Sequence, residues 1–248
     1  MAKAQRKKAS KKGLILIKAA AMFREKGFAA TSMRDLAEAV GIEAASLYNH
    51  IRSKNEILEA ICFDVANVYN TTIDTIESSQ QKSIAKIEQL LRFHIKQMTE
   101  NYEEVYVSDR EWKHLEEPYL SNFQTQRRNY RKKFAAIIEE GITKNEIRKI
   151  DAPTAVLIML HAVSGIESWH RSKAKINAQE LEDNMVMIMI DGLRKQSWFM
   201  SIHFHRLAVK EIKKETPECV SLLFDVPEEL KKDFQFSQGA KSYDESHY

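Results

Sequence analysis

Glycine and proline are scarce in this chain, whose 248 residues include 7 Gly and 4 Pro. Because these residues punctuate turns, their scarcity favours long helices. The two cysteines, Cys62 and Cys219, form no Cys-x-x-Cys pair, so neither a zinc knuckle nor a disulfide framework is expected. No apolar run reaches the roughly 18 residues that span a bilayer, and no signal-peptide core follows the basic start. We therefore expect a cytoplasmic protein without a membrane segment.

Motifs of common catalytic sites are also missing, since the sequence has neither a glycine-rich phosphate loop nor a nucleophile elbow. One pattern does favour an enzyme: Glu111-x-x-His114 and Glu167-x-x-His170 lie on separate predicted helices. A di-iron carboxylate bundle needs two such pairs and one further Glu from each of two other helices. Those other helices offer no clear buried Glu. The di-iron enzyme is kept as the alternative, and no metal or cofactor is otherwise expected.

Positive charge is concentrated at the start of the chain, although the net charge is only +3. Residues 1–12 contain six cations and no acid: Lys3, Arg6, Lys7, Lys8, Lys11 and Lys12. A block of this kind is typical of a solvated arm. Beside a DNA-binding element it also favours contacts with phosphates.

The next segment, residues 13–60, begins with the pattern of two helices. Ser32 and Asp35 are spaced as a capping box, and Gly41 permits the left-handed turn that ends the second helix. The first helix is predicted to end at Gly27, a common C-terminal residue. Its apolar stripe consists of Leu14, Leu16, Ile17, Ala20, Ala21 and Phe23.

A third helix is predicted over residues 44–51, with Leu47 and Ile51 pointing inward. Two short helices joined by a glycine turn are typical of a helix-turn-helix, whose second helix enters the major groove of DNA. Small residues at the start of this helix permit close approach to base edges, and the polar ones suit phosphate or base contacts. The outward residues are Ala44, Ala45, Ser46, Tyr48, Asn49 and His50.

Residues 14–61 resemble the DNA-binding domain of the TetR family of bacterial repressors. The matching positions are Ala20, Phe23, Gly27, Phe28, Thr31, Ser32, Leu36, Ala37, Gly41, Ile42, Leu47, Tyr48, His50, Ile51, Ser53, Lys54 and Leu58. The resemblance implies positions at or near DNA for Ser32, Arg34, Ala45, Ser46, Tyr48, Asn49, His50 and Lys54. Glu43 departs from the family, which usually has a small N-cap there.

A second domain, residues 61–196, follows as further helices. The first continues from Lys54 to about Ser78, and others are predicted over 82–101, 103–115 and 117–140. A later helix begins at Asp151 and a last one ends near Lys195. The apolar residues of these last two helices exceed what one core face requires. A symmetric homodimer that forms a four-helix bundle explains the excess, as it does in the TetR family, and it suits a palindromic operator.

The second domain is also predicted to hold an effector pocket, because it resembles the TetR subgroup that senses acyl-coenzyme A thioesters. The resemblance lies in two stretches, which begin at Glu111 and at Trp169. An apolar slot for the acyl group and cations for the phosphates are the features that such a ligand needs. The candidate residues are Trp112, Tyr119, Phe123, Arg127, Arg128, Tyr130, Trp169 and Arg171.

The last segment, residues 197–248, differs from the helical remainder. From His203 to Leu230 it has the pattern of strand, turn and strand. It is similar to the start of the reductase subunit of the phenylacetyl-coenzyme A epoxidase, but the likeness stops at Gly239, before the flavin-binding motif. We interpret this tail as a remnant of a neighbouring gene that points to phenylacetate catabolism; an unrelated hairpin is the alternative.

The predicted fold class is therefore all-α with a short β-like C-terminal extension. A three-helix DNA-binding domain is expected to precede a helical effector-binding and dimerisation domain. The function expected from the resemblance is repression of a catabolic operon, relieved by an acyl-coenzyme A such as phenylacetyl-coenzyme A.

Overall fold

The computed structural model describes residues 10–171 and 176–194. Every described residue belongs to one compact unit of the chain, Met1–Lys195. The C-terminal extension predicted for residues 197–248, and the basic arm as far as residue 9, lie outside the described residues.

The described part of the chain is all-α, as predicted, and contains no β-sheet. An isolated bridge between Ile147 and Arg194 is its one extended pairing. The helices are α1 (Lys11–Lys26), α2 (Met33–Val40), α3 (Ala44–Tyr48), α4 (Lys54–Glu77), α5 (Ser83–Glu100), α6 (Tyr102–Arg110), a 3-10 turn (Trp112–His114), α7 (Tyr119–Thr143), α8 (Ala152–Ser164), α9 (Ile166–Arg171) and α10 (Ala178–Leu193).

The helix ends follow the capping chemistry expected from the sequence. At the start of α2, the Asp35 amide donates to Ser32 Oγ at 3.1 Å, and the Ser32 amide donates to the Asp35 carboxylate at 3.1 Å. Gly41 ends the same helix with φ of 73°, in the left-handed region. Asp151 caps α8 by accepting from the Thr154 amide at 2.8 Å. The capping predictions at these sites are confirmed.

Several helix boundaries differ from the prediction, including that of the helix predicted over 103–115, where α6 ends at Arg110. Helix α3 ends at Tyr48, although residues 49–51 continue its turn through bonds from the His50 and Ile51 amides to the Leu47 carbonyl. Helix α7 passes through Gly141 to Thr143, because this glycine serves close packing, not termination. A methyl group there would lie 2.9 Å from the Ser83 Cβ atom.

A further difference is a break within the apolar run that follows Asp151. The predicted single helix is divided at Gly165 into α8 and α9. The phase of α1 also differs, because Ile15 is fully buried whereas Leu14 is 39% exposed. Apolar residues also lie on both sides of the predicted stripe, so the sequence alone does not determine which face of α1 is buried.

The buried side chains form two clusters. One contains the core of α1, α2 and α3, and it also includes Val107, Leu115 and Phe123 from the second domain. The other lies among α4, α5, α6, α7, α8 and α10. The first cluster thus joins the helix-turn-helix to the helices that follow it, and α4 runs without interruption through the predicted boundary at residue 60.

Candidate functional sites

The helix-turn-helix presents the predicted DNA-contacting side chains at its surface. Leu47 is fully buried and Ile51 is 1% exposed, so these two residues fix α3 against the core, as predicted. Tyr48 is 51% exposed. Ser46 is half-buried, and the remaining exposed candidates on α2 and α3 are Ser32, Arg34, Ala44, Ala45, Asn49 and His50. Glu43 forms no side-chain cap for α3.

Lys54 occupies a different environment from the other candidates. Its ammonium donates to the carbonyls of Phe28 at 2.8 Å, Ala29 at 3.3 Å and Thr31 at 2.8 Å. The Nζ atom also lies 4.4 Å from the centroid of the Phe28 ring. These three bonds match the three donors of an ammonium group. Lys54 therefore positions the turn between α1 and α2, and its contact with DNA stays a prediction.

Phe28 connects this turn to the second domain. Its amide donates to the Glu111 carboxylate at 3.3 Å, and its ring stacks on His114 with centroids 5.2 Å apart. His114 Nε2 lies 3.4 Å from the same Glu111 carboxylate. The end of α6 and the 3-10 turn thus hold the segment that joins α1 to α2.

The two Glu-x-x-His pairs are engaged in separate contacts, so the di-iron alternative is not supported. Glu111 and His114 hold Phe28, as described above. Glu167 pairs with Arg110 at 3.2 Å, and His170 Nε2 lies 2.7 Å from the Met98 carbonyl. Within residues 10–171 and 176–194, no group of three or more His, Cys, Asp or Glu residues is arranged to hold a metal ion.

A cavity of about 360 Å³ lies between α4, α5, α6, α7 and α8. This volume falls within the usual range for small-molecule pockets. Its apolar wall includes Val65, Met98, Val105, Phe123, Leu157, Leu160 and Val163. Its polar lining includes Tyr69, Asn70, His94, Asp109, Arg110, Gln126, Arg127, Tyr130, Arg131, His161 and Ser164.

Three of the eight predicted effector residues line this cavity: Phe123, Arg127 and Tyr130. The other five lie elsewhere. Trp112 packs with the first cluster and Tyr119 is 44% exposed. Trp169 donates from Nε1 to the Ile176 carbonyl at 3.3 Å. The two remaining arginines bond to residues of their own helices: Arg128 to Thr125 and Arg171 to Glu167.

Sequence reasoning missed the polar inner wall of the cavity. His94 is 7% exposed, and its Nε2 atom lies 2.7 Å from the Tyr130 hydroxyl. Burial lowers the pKa of His94 to about 3, so this imidazole is neutral at physiological pH. Burial likewise raises the pKa of Tyr130 and of Tyr69. A lone histidine on the apolar face of α5 was the sequence signal for this wall.

Cationic side chains lie at the same cavity. Arg127 pairs with Asp109 at 2.8 Å and donates to the Ser108 carbonyl at 3.3 Å. Arg131 is exposed and also lines the cavity. An apolar space bordered by guanidinium groups suits a ligand that combines an apolar group with anionic groups.

Two family models match the chain. The model of bacterial regulatory proteins of the tetR family matches residues 15–61, and the tetracyclin repressor-like C-terminal domain model matches residues 80–193. The chain belongs to the TetR family. No helix within the described ranges combines the length and apolar character needed to cross a membrane.

Relatives extend over most of the TetR-like region. The HTH-type transcriptional repressor KstR2 of Mycobacterium tuberculosis (strain CDC 1551 / Oshkosh) is 24% identical over 189 residues, covering 75% of this chain and 94% of KstR2. The structure of the ketosteroid transcriptional regulator KstR2 of Mycobacterium tuberculosis has a TM-score of 0.70, at 24% identity, and covers 75% of this chain and 96% of that one.

A second solved structure is AibR in complex with isovaleryl coenzyme A and operator DNA. It has a TM-score of 0.64 at 20% identity, and the match covers 72% of this chain and 97% of AibR. At these identities the structural likeness establishes a shared fold.

The position of Lys54 generates a prediction about stability. Lys54→Met keeps the unbranched shape and most of the length of the side chain but leaves three carbonyls without their charged donor. We expect the free energy of unfolding to fall by about 2 kcal/mol. Chemical denaturation followed by circular dichroism measures this loss.

Lys18→Met is the matched control, because Lys18 is an exposed residue of α1 in the same N-terminal domain. Its effect should stay within about 0.5 kcal/mol. Equal stability of the two variants would contradict the positioning role of Lys54.

Proposed function

We propose that this TetR-family protein is a dimeric transcriptional repressor that binds a palindromic operator and is released by an acyl-coenzyme A thioester. The controlled operon would serve aromatic or fatty acid catabolism, with phenylacetyl-coenzyme A as the favoured effector. One observation carries the proposal. Helix α4 begins at Lys54, which holds the helix-turn-helix, and the same helix lines the cavity through Val65 and Tyr69.

The DNA reader in this proposal is the exposed surface of α2 and α3. Small side chains at the start of α3 allow the helix to approach base edges, and exposed hydroxyl, amide and imidazole groups suit contacts with phosphates or bases. Lys54 would either hold the turn before α2, as described above, or contact the phosphates of the operator. The proposed residues are Ser32, Arg34, Ala44, Ala45, Ser46, Tyr48, Asn49, His50 and Lys54.

Ala45→Glu tests the reader. Ala45 is exposed, so the substitution should not disturb the core, but it would place a bulky anion where phosphates and base edges are expected. We expect operator affinity to fall at least about 100-fold. Fluorescence anisotropy with a DNA fragment selected on the wild-type protein measures the change.

Ala136→Glu is the control for Ala45→Glu, because it makes the same change at an exposed position of α7. Its operator affinity should match the wild type. If Ala45→Glu also bound with wild-type affinity, α3 would not be the reader.

Exposed apolar side chains on α8 and α10 support the proposed dimer. Leu157 and Ile158 are 54% and 61% exposed, and Met187 and Ile188 are 55% and 70% exposed. Two pairs of exposed large apolar side chains on neighbouring positions favour burial in an interface. A four-helix bundle formed by α8 and α10 of two copies would cover them. The dimer would also place two readers on one palindrome.

Ile188→Glu tests this interface. A carboxylate buried between two copies would lack a partner, so the variant should sediment as a monomer at micromolar concentration. Val68→Glu is the control, because Val68 is a 47% exposed residue on α4. A dimeric Ile188→Glu variant would place the interface elsewhere.

The effector class is supported by the cavity and by one structural neighbour. The cavity combines an apolar wall with Arg110, Arg127 and Arg131, which suits an acyl group joined to phosphates. AibR, which shares the fold, has been solved with isovaleryl coenzyme A and operator DNA. From the sequence-based set, Phe123 and Tyr130 would contact the acyl group and Arg127 the anionic part. The other five predicted residues, Trp112, Tyr119, Arg128, Trp169 and Arg171, would then act outside this cavity.

A gel-shift titration of the operator complex tests the effector. The ligands are phenylacetyl-coenzyme A, free phenylacetate, a long-chain acyl-coenzyme A and free coenzyme A. Phenylacetyl-coenzyme A should release the DNA, and a 100-fold loss of operator affinity corresponds to about 2.7 kcal/mol of coupling. Release by the long-chain thioester alone would support an acyl-coenzyme A effector but reject the link to phenylacetate catabolism. Release by none of them would reject the thioester effector.

A further inference from the structure

The inner wall of the cavity holds a hydrogen-bond donor that no group in the described part of the chain accepts from. His94 is neutral and carries one N–H, and Tyr130 carries one O–H. The single bond of 2.7 Å between them uses one of these two protons. Neither residue makes a second hydrogen bond within the described residues. Whichever tautomer is present, one proton of the pair is therefore left for another acceptor.

Tyr69 adds a second donor to the same wall. Its hydroxyl forms no hydrogen bond with a described residue, although its ring packs edge-on against His94 with centroids 4.9 Å apart. Burial raises the pKa of Tyr69, the Asp109 carboxylate raises it further, and the Arg127 guanidinium lowers it. The hydroxyl is thus close enough to feel both of these cavity-lining charges. It is a neutral donor that lies beside the His94–Tyr130 pair.

Charge decides which acceptor these donors suit. These donors face the cavity, so a ligand that displaces its water must supply an acceptor or leave them unpaired, which is costly. Arg127, whose charge reaches Tyr69, is paired with Asp109 at 2.8 Å, and in the proposed function its remaining donors serve the phosphates. A carboxylate bound at these neutral donors would therefore lose its hydration without gaining a cationic partner, and the negative charge of Asp109 would repel it. An uncharged oxygen loses less solvation and accepts the same hydrogen bonds.

We propose that Tyr69 and the His94–Tyr130 pair determine effector specificity by donating hydrogen bonds to an uncharged oxygen of the acyl portion. This inference rests on the proposed thioester effector. The oxygen is either the thioester carbonyl or a hydroxyl or keto oxygen carried by the acyl group. Phe123 and the apolar wall then contact the hydrocarbon around it. A free carboxylic acid is rejected.

Calorimetric titration of the full chain, without DNA, tests the assignment. The probes are octanoyl-coenzyme A, phenylacetyl-coenzyme A, 4-hydroxyphenylacetyl-coenzyme A and free phenylacetate. The variants are Tyr69→Phe and Tyr130→Phe, each of which removes one hydroxyl and keeps the ring. Tyr106→Phe is the matched control, because Tyr106 packs on Tyr102 and does not line the cavity. Thermal melting of each unliganded variant checks the fold.

Loss of one hydrogen bond to a bound oxygen should weaken binding about tenfold in Tyr69→Phe, with no change in Tyr106→Phe. An equal loss for all three thioesters identifies the thioester carbonyl as the acceptor. A loss confined to the 4-hydroxyphenylacetyl thioester identifies the acyl oxygen. Wild-type affinity of a folded Tyr69→Phe for every thioester would overturn the inference and leave the proposed effector class intact. Failure of the wild type to bind any thioester would refute both.

Discussion

The contacts of Phe28 are the constraint on which the position of the DNA reader depends. This residue is 7% exposed and packs edge-on against Phe23 with centroids 5.2 Å apart. Lys54 holds its carbonyl, Glu111 holds its amide and His114 stacks on its ring. These partners come from α4, the end of α6 and the 3-10 turn. The helix-turn-helix is therefore fixed to the second domain by side-chain hydrogen bonds to the Phe28 backbone as well as by apolar packing. A shift of either helix changes the surroundings of the turn that precedes α2.

Helices α4 and α6 also form two walls of the cavity. Val105 and Ser108 line it from α6, only a few residues before Glu111. A ligand that pushes α6 therefore acts on the element that holds Phe28. Coupling requires a ligand to bind one of two arrangements more tightly than the other. The shared helices supply the physical connection through which such a preference reaches the reader.

The helix-turn-helix was predictable because its determinants are local. The bonds between Ser32 and Asp35, and the positive φ of Gly41, follow from residues a few positions apart. The cavity was not predictable, because its lining depends on how five helices pack together. Trp112 illustrates the difficulty: its aromatic character suggested a ligand contact, yet it packs with the core of the first domain. Helix phase alone could not distinguish that environment from the one around Phe123, which lies between the first core and the cavity.

In the proposed mechanism, α4 would carry small movements at the cavity to the DNA reader. Tyr69 lies fifteen residues after Lys54, which corresponds to roughly 22 Å along the helix axis. The first turn of α4 is held twice, since Lys54 bonds to the turn before α2 and Glu56 pairs with Lys12 of α1 at 3.0 Å. We infer that a ligand-induced tilt near Tyr69 would pass along the packed helix to these contacts. It would then move the turn before α2, and with it the surface that α2 and α3 present.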